Sequence, residues 1–388
     1  MRRALLTASA TSVLMLASCS FGSPPPPEAG QPPKLPTPSG DPELEASAMI
    51  AEAAVGVDQP WDMDFLPDGT ALFTERESAR LMSIPFNEED NTTGDPAEEL
   101  AVEDVATEGT QGLLGLAVSP DFEDDETVFL YYSTDSDNRV AAWEYGSGDQ
   151  PEPILTGIPT GVQLNGGALE FDEEGLLWVG TGDASYLSEA QAEDSLGGKI
   201  LRVTTDGEPA PGNPDPDSPV YSSGHRSVNA IAFRESDSEP VAIDSSPNVD
   251  DYVVQVRAGA NYGWPRLEEE FDSDSYSPPI GRREPQIGEC SGSVFLGELL
   301  ASTCLRGQRL WLAEPNASGS ELEDVTELFM NEFGQLRSIA MGPDGLLWVG
   351  TYNRGDQCNS EVGCYPQEED DRILRISLPG HTSGIGLT

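Results

Sequence analysis

The chain has 388 residues, 37% hydrophobic and 7% aromatic with six tryptophans, enough for one large domain or two ordinary ones. Its 69 acidic residues outnumber 20 basic ones, for a formal charge of −49, and Lys34 and Lys199 are its only lysines. Such a balance excludes nucleic acid and anionic membrane surfaces as partners of its own charge, and acids spread along the whole chain describe a solvating surface rather than a binding tail.

At the N-terminus, the positive MRR precedes the apolar ALLTASATSVLMLA and then Leu16-Ala17-Ser18-Cys19. This resembles a bacterial lipoprotein signal. The resemblance implies cleavage before Cys19, lipidation of its thiol and anchoring at the extracytoplasmic face of the cell membrane. The apolar run is too short to span a bilayer comfortably. Residues 20–48 are dense in proline (SFGSPPPPEAGQPPKLPTPSGDPE), which predicts an extended, semi-rigid tether outside the fold. The folded domain is expected over residues 49–380.

From residue 61 onward one phrase recurs: WDMDFLPDGTALFTER, LLGLAVSPDFEDDETVFLYYS, GALEFDEEGLLWVGTGD, NAIAFRESDSEPVAIDS and LRSIAMGPDGLLWVGTYN. Each copy is an alternating apolar strand, a tight turn and a second alternating strand. The turns at Gly69, Phe122, Gly175 and Asp237 are spaced by 53, 53 and 62 residues. GQRLWLAEP around Trp311 reads as a weaker copy without the turn signature, making six units. Hairpins repeating at this period, with almost no helical pattern, predict an all-β fold: a six-bladed β-propeller of four-stranded antiparallel blades. A large β-sandwich is the alternative, but sandwiches do not repeat one hairpin phrase. In a propeller the inner strands deliver loops to a central channel, so function is expected between the hairpins.

With Cys19 lipidated, Cys290, Cys304, Cys358 and Cys364 remain, an even number that suggests disulfides in an exported chain. Nearest-neighbour pairing gives Cys290–Cys304 and Cys358–Cys364, while the sequence leaves all three connectivities open. With only His225 and His381 and no close CxxC pair, a zinc site is not expected.

The segments PWDMDFLPDG, GTQGLLGLAVSPDF, NGGALEF, LGGKILRV, SSGHRS, GANYGWP and LRSIAMGPDGLLWV fall in the order seen in the glucose/sorbosone dehydrogenase family, and the resemblance covers residues 55–377. It implies a soluble-type aldose dehydrogenase dependent on pyrroloquinoline quinone (PQQ) and calcium, oxidising the C1 hydroxyl of an aldose to a lactone. That chemistry needs a base for the hydroxyl proton, cations for the cofactor's carboxylates and Ca²⁺ to polarise the quinone. The resemblance sets the catalytic histidine against Asn165, whose amide cannot accept a proton near neutral pH. It matches Gln111 to a glutamine beside the base, and Arg226 to a quinone-binding arginine followed here by Ser227. Gln335 and Arg337 stand where the family has paired arginines. Backbone carbonyls of Ser246 and Pro247, with Asp251, are the residues left for calcium, the family's Glu and Asn being absent.

His225 reads more readily as a structural hydrogen-bonding residue than as a replacement base. Asp183 in Thr181-Gly182-Asp183 reads as a turn former, and the RGD within Tyr352–Asp356 as a loop that the second disulfide holds. Two functions follow: a lipid-anchored PQQ-dependent sugar dehydrogenase-like protein, or a non-catalytic monomeric propeller binding a sugar, a cell-wall glycan or an envelope protein.

Overall fold

The repeated phrase folds each time into the two inner strands of a four-stranded antiparallel sheet. In the computed structural model, which describes residues 39–382 apart from 246–248, 267–274, 317, 356–357 and 360–362, six such sheets form a ring. The innermost strands are Pro60–Phe65, Leu113–Val118, Gly166–Phe171, Val228–Phe233, Cys290–Leu296 and Leu336–Met341, in blades one to six. Each contacts the next and the sixth returns to the first, enclosing a central channel. The ring is closed by the N-terminal strand Met49–Val55, which pairs antiparallel with Arg372–Ser377 as the outer strand of blade six.

Alternation within the strands places apolar side chains between neighbouring blades, where Trp143, Trp311 and Trp348 are almost fully buried. Truncating Trp348 to Ala would cost about 3–5 kcal/mol, because the rigid blades on either side cannot collapse into the cavity. The turns are fixed by a side-chain clamp that the sequence repeats. In blade three Asp172 accepts from Trp178 Nε1 at 2.8 Å and from Arg202 Nε at 3.0 Å. In blade six Asp344 accepts from Trp348 Nε1 at 3.1 Å and from Arg375 Nε at 2.8 Å.

At the opposite end, every inner hairpin carries a register shift near the start of its first strand. Such bulges bend the strand and re-aim side chains, which shapes one end of the channel into a mouth.

Two expectations are corrected. The inner hairpin of blade five is Cys290–Leu296 with Leu299–Cys304, turning at Gly297; Trp311 lies on the third strand, Arg309–Pro315, so the weak copy was one hairpin late. The expected tether also joins the domain before residue 48. Ser39–Gly40 pairs with Leu322–Leu328 of blade five, and helix Pro42–Ser47, capped by Asp41, packs Leu44 against the core between blades five and six. An aspartate cap and one apolar residue per turn are enough to dock that short segment. The cysteines pair as Cys290–Cys304 and Cys358–Cys364, the first across the blade-five hairpin. Cys19 lies outside the described residues.

Candidate functional site at the channel mouth

The mouth is a small cavity of about 40 Å³ bordered by residues from blades one to six, among them Trp61, Asn165, Ser227, Glu289, Ser291 and Arg337. Its electrostatics centre on Arg337. This guanidinium lies 3.9 Å from the centre of the Trp61 ring and donates from NH1 to Ser291 O at 2.7 Å. Burial pulls its pKa down to about 10, against the attraction of Asp62. Among the described residues nothing accepts from Arg337 Nε or Trp61 Nε1, and nothing donates to Gln335 Oε1. Unpaired polar atoms at a buried mouth are costly unless a ligand or water meets them. On the other side of Trp61, Arg76 sits 5.4 Å from the ring and is tied to Tyr352 Oη, Gly109 O and Gln111 O.

Asn165 borders the mouth, yet its amide is spent. Oδ1 accepts from Asn138 Nδ2 at 3.1 Å, Gly161 N at 3.0 Å and Thr160 Oγ1 at 3.4 Å; Nδ2 donates to Gly161 O at 2.7 Å and Thr110 Oγ1 at 3.1 Å. Tyr131 Oη adds a bond to its carbonyl at 2.8 Å. The residue is a latch that folds the 160–165 loop over blade two. Gln111 joins the same latch, donating to Thr160 Oγ1 at 2.9 Å, and does not border the cavity. Leu164, held at φ +62°, borders the mouth and belongs to no core cluster. Sequence reasoning passed over it, although an apolar residue beside the Asn-Gly-Gly turn was visible.

Between blades three and four, Arg226 stacks 4.5 Å from the centre of the Trp264 ring, and Asp244 accepts from the backbone amides of Arg226 and Ser227. Ser227 Oγ accepts from Gly166 N at 3.2 Å, which places Ser227 at the mouth beside the latch. Asp183 accepts from Trp264 Nε1 and Ser185 N, each at 2.8 Å; burial raises its pKa and these bonds oppose the rise. It is a buried turn former. His225 is fully buried, paired through Nε2 with Ser222 Oγ at 2.9 Å and set against the Tyr262 ring, a structural placement out of reach of the mouth.

Asp251 is tied into the fold, with Arg283 NH1 3.9 Å from its Oδ2. Its carboxylate accepts from Ser245 Oγ at 2.8 Å and from Cys290 N at 2.9 Å, tying blade four to the blade-five disulfide. Ser246 and Pro247 lie outside the described residues, and among those described no group of three or more His, Cys, Asp or Glu is disposed to hold a metal. One donor at the mouth fits a carboxylate of a quinone cofactor, the unpaired Nε of Arg337. The Ser227 and Ser291 hydroxyls already donate to Asn229 Oδ1 and Arg337 O, and Arg226 stacks on Trp264 away from the cavity lining. Glu289, unflagged by any sequence motif, also borders the mouth.

A family model described as Glucose / Sorbosone dehydrogenase matches residues 57–358. The PQQ-bound aldose sugar dehydrogenase of Streptomyces coelicolor has a similar structure, with a TM-score of 0.77 and 32% identity over 85% of this chain and 98% of that one. A Thermus thermophilus protein described as a putative oxidoreductase (glucose dehydrogenase) gives 0.75 at 32% identity over 85% of this chain and all (100%) of that one. By sequence, the aldose sugar dehydrogenase of Escherichia coli (strain K12) is 24% identical over 352 residues, 79% of this chain and 93% of that protein.

Proposed function

The chain belongs to the glucose/sorbosone dehydrogenase family, and from that premise we propose that it is a lipid-anchored, extracytoplasmic aldose dehydrogenase that holds PQQ at the channel mouth. One observation carries the reading: a buried arginine, Arg337, keeps an unpaired Nε at a mouth walled by Trp61 and serine hydroxyls. A buried guanidinium that keeps an N–H without a partner at a concave site matches an anionic, carboxylate-bearing ligand. When bound, the quinone supplies the two-electron acceptor for oxidation of the aldose C1 hydroxyl to a lactone. The chain's own part is to orient the cofactor through Arg337 and to exclude water with Leu164 and Trp61. Asn165 takes no proton in this scheme, because its amide is engaged in the latch.

A second reading, a propeller that binds a sugar or cell-wall glycan without oxidising it, is favoured by that same spent amide and by the commitment of Asp251. Titrating the mature protein with PQQ and Ca²⁺ while following the quinone absorbance, then adding aldoses and a dye acceptor, separates the two. The dehydrogenase reading expects a saturable spectral change and sugar-dependent dye reduction; a flat titration at excess cofactor sinks it. Anchoring is tested independently. Cys19→Ala should move the protein from the membrane fraction to the soluble one, and among the described residues no helix is long and apolar enough to cross a membrane.

A further inference from the structure

We propose that Glu289 is the proton acceptor of the mouth, in place of the histidine that the family relies on and this chain lacks; the inference rests on the dehydrogenase reading above. Of the described residues bordering the cavity, only Glu289 and Arg337 carry ionisable side chains, and a buried guanidinium does not take up a proton. Asp62, the other acid that acts on Arg337, borders the wider inner cavity and not the mouth. Asp183 is fully buried under Trp264 and Ser185 N, and Asp244 holds the amides of Arg226 and Ser227. Asn165 has neither a titrating group nor a vacant amide.

The backbone around Glu289 is built to hold it. Glu289 adopts φ +56°, the left-handed region that a non-glycine residue occupies only when its surroundings impose it. Those surroundings are specific: Leu305 N donates to Glu289 O at 3.0 Å, and the next residue, Cys290, is tied by its disulfide to Cys304 and by its amide to Asp251 at 2.9 Å. The disulfide and Asp251 therefore serve to aim the residue before Cys290 at the channel. Ser291, two residues on, borders the same cavity and accepts from Arg337 at 2.7 Å, so Glu289 and Arg337 meet across it. Arg306 Nε lies 3.9 Å from Glu289 Oε2, a cation beside the carboxylate.

In the step that this assigns, the C1 O–H bond of the aldose breaks and its proton passes to the Glu289 carboxylate. The C1–H bond breaks with its electron pair, which leaves as hydride to an ortho-quinone oxidant. The C1–O bond becomes a carbonyl and the product is the lactone. General-base assistance of this kind is worth on the order of 100-fold or more in rate.

The test uses the mature protein loaded with PQQ and Ca²⁺, with Glu289→Gln and Glu289→Asp compared with wild type. The expected result is that Glu289→Gln keeps the quinone spectrum and melting temperature, loses about 100-fold or more in kcat, and regains part of it with added formate. Glu289→Asp should retain an intermediate rate. A second readout needs no turnover: in cofactor-free protein, calorimetric sugar affinity should change with pH in wild type and become flat in Glu289→Gln. Wild-type turnover with Glu289→Gln within about threefold of it, well short of the loss of a general base, overturns the assignment alone. A wild type that neither shifts the quinone spectrum nor turns over overturns the dehydrogenase reading, and this proposal with it. If both Glu289 variants misfold, Arg306→Gln decides, because it should move the acid limb of the kcat/KM pH profile upward; an unmoved limb counts against Glu289.

Discussion

The channel has two ends of opposite character. At the mouth, Arg337 and Glu289 face a cavity of about 40 Å³ walled by Trp61, Leu164 and serines. Beyond Asn229 and Ser291, which border both, the channel widens to about 250 Å³ and the charged residues bordering it are Asp62, Asp64 and Glu170. Burial pushes the pKa of Asp62 up to about 7 and that of Asp64 up to about 6, and holds Glu170 well above the usual carboxylate range. A carboxylate-bearing ligand therefore finds a guanidinium only at the mouth, while the ionisable residues bordering the wider interior are all acids. The interior acids also have structural work. Asp62 and Asp64 accept from Leu116 N at 3.0 Å and Val118 N at 2.7 Å, stitching blade one to blade two.

The contrast can be broken most severely at the latch that shapes the mouth. Asn165→Leu strands the Gly161 backbone N–H and C=O, and should cost about 3 kcal/mol in urea unfolding. Asn165→His should bring no gain in dye reduction, because an imidazole cannot reproduce the five amide bonds that hold the loop. A rise in activity would return that position to the chemistry. Next, Arg337→Met removes the mouth's cation; PQQ affinity, followed by absorbance, should fall about tenfold or more, the value of one charge-assisted hydrogen bond. Unchanged affinity would place the quinone elsewhere.

A smaller effect is expected from pH. Asp62 and Asp64 have folded pKa values raised above the unfolded 3.8, so the folded chain holds protons that the unfolded chain has released. Their contribution favours the folded state below about pH 4, is lost as pH rises toward 7, and stays lost above that. Asp62→Asn should flatten this decline in melting temperature between about pH 4 and 7, and an unchanged slope would mean that Asp62 ionises freely in the channel. Smallest of all, Glu170→Gln should shift stability by less than about 0.5 kcal/mol at about pH 3, where the carboxyl is protonated in the folded and unfolded chain alike.

Much of the fold was written locally. The alternating strands and tight turns announced the blades, and the Asp172–Trp178–Arg202 clamp recurs as Asp344–Trp348–Arg375 because the same phrase recurs. Blade five escaped a clean reading because its inner hairpin turns at Leu296-Gly297-Glu298 without the proline-aspartate signature. The docking of residues 39–48 escaped because proline-rich composition reports on chain stiffness and not on what the segment meets. The site was legible in type but not in role. Arg226, Ser227, Arg337 and Asn165 were all flagged, yet nothing in QLNGG shows that the amide of Asn165 is consumed by Gly161, Thr110 and Asn138. Strand, turn and repeat follow from a few neighbouring residues, and the sequence by itself determined them. Which side chains share the mouth depends on six blades closing through a strand from the other end of the chain. Only that closure sets Glu289 across from Arg337 at one end of the channel and leaves the other end bordered by acids alone.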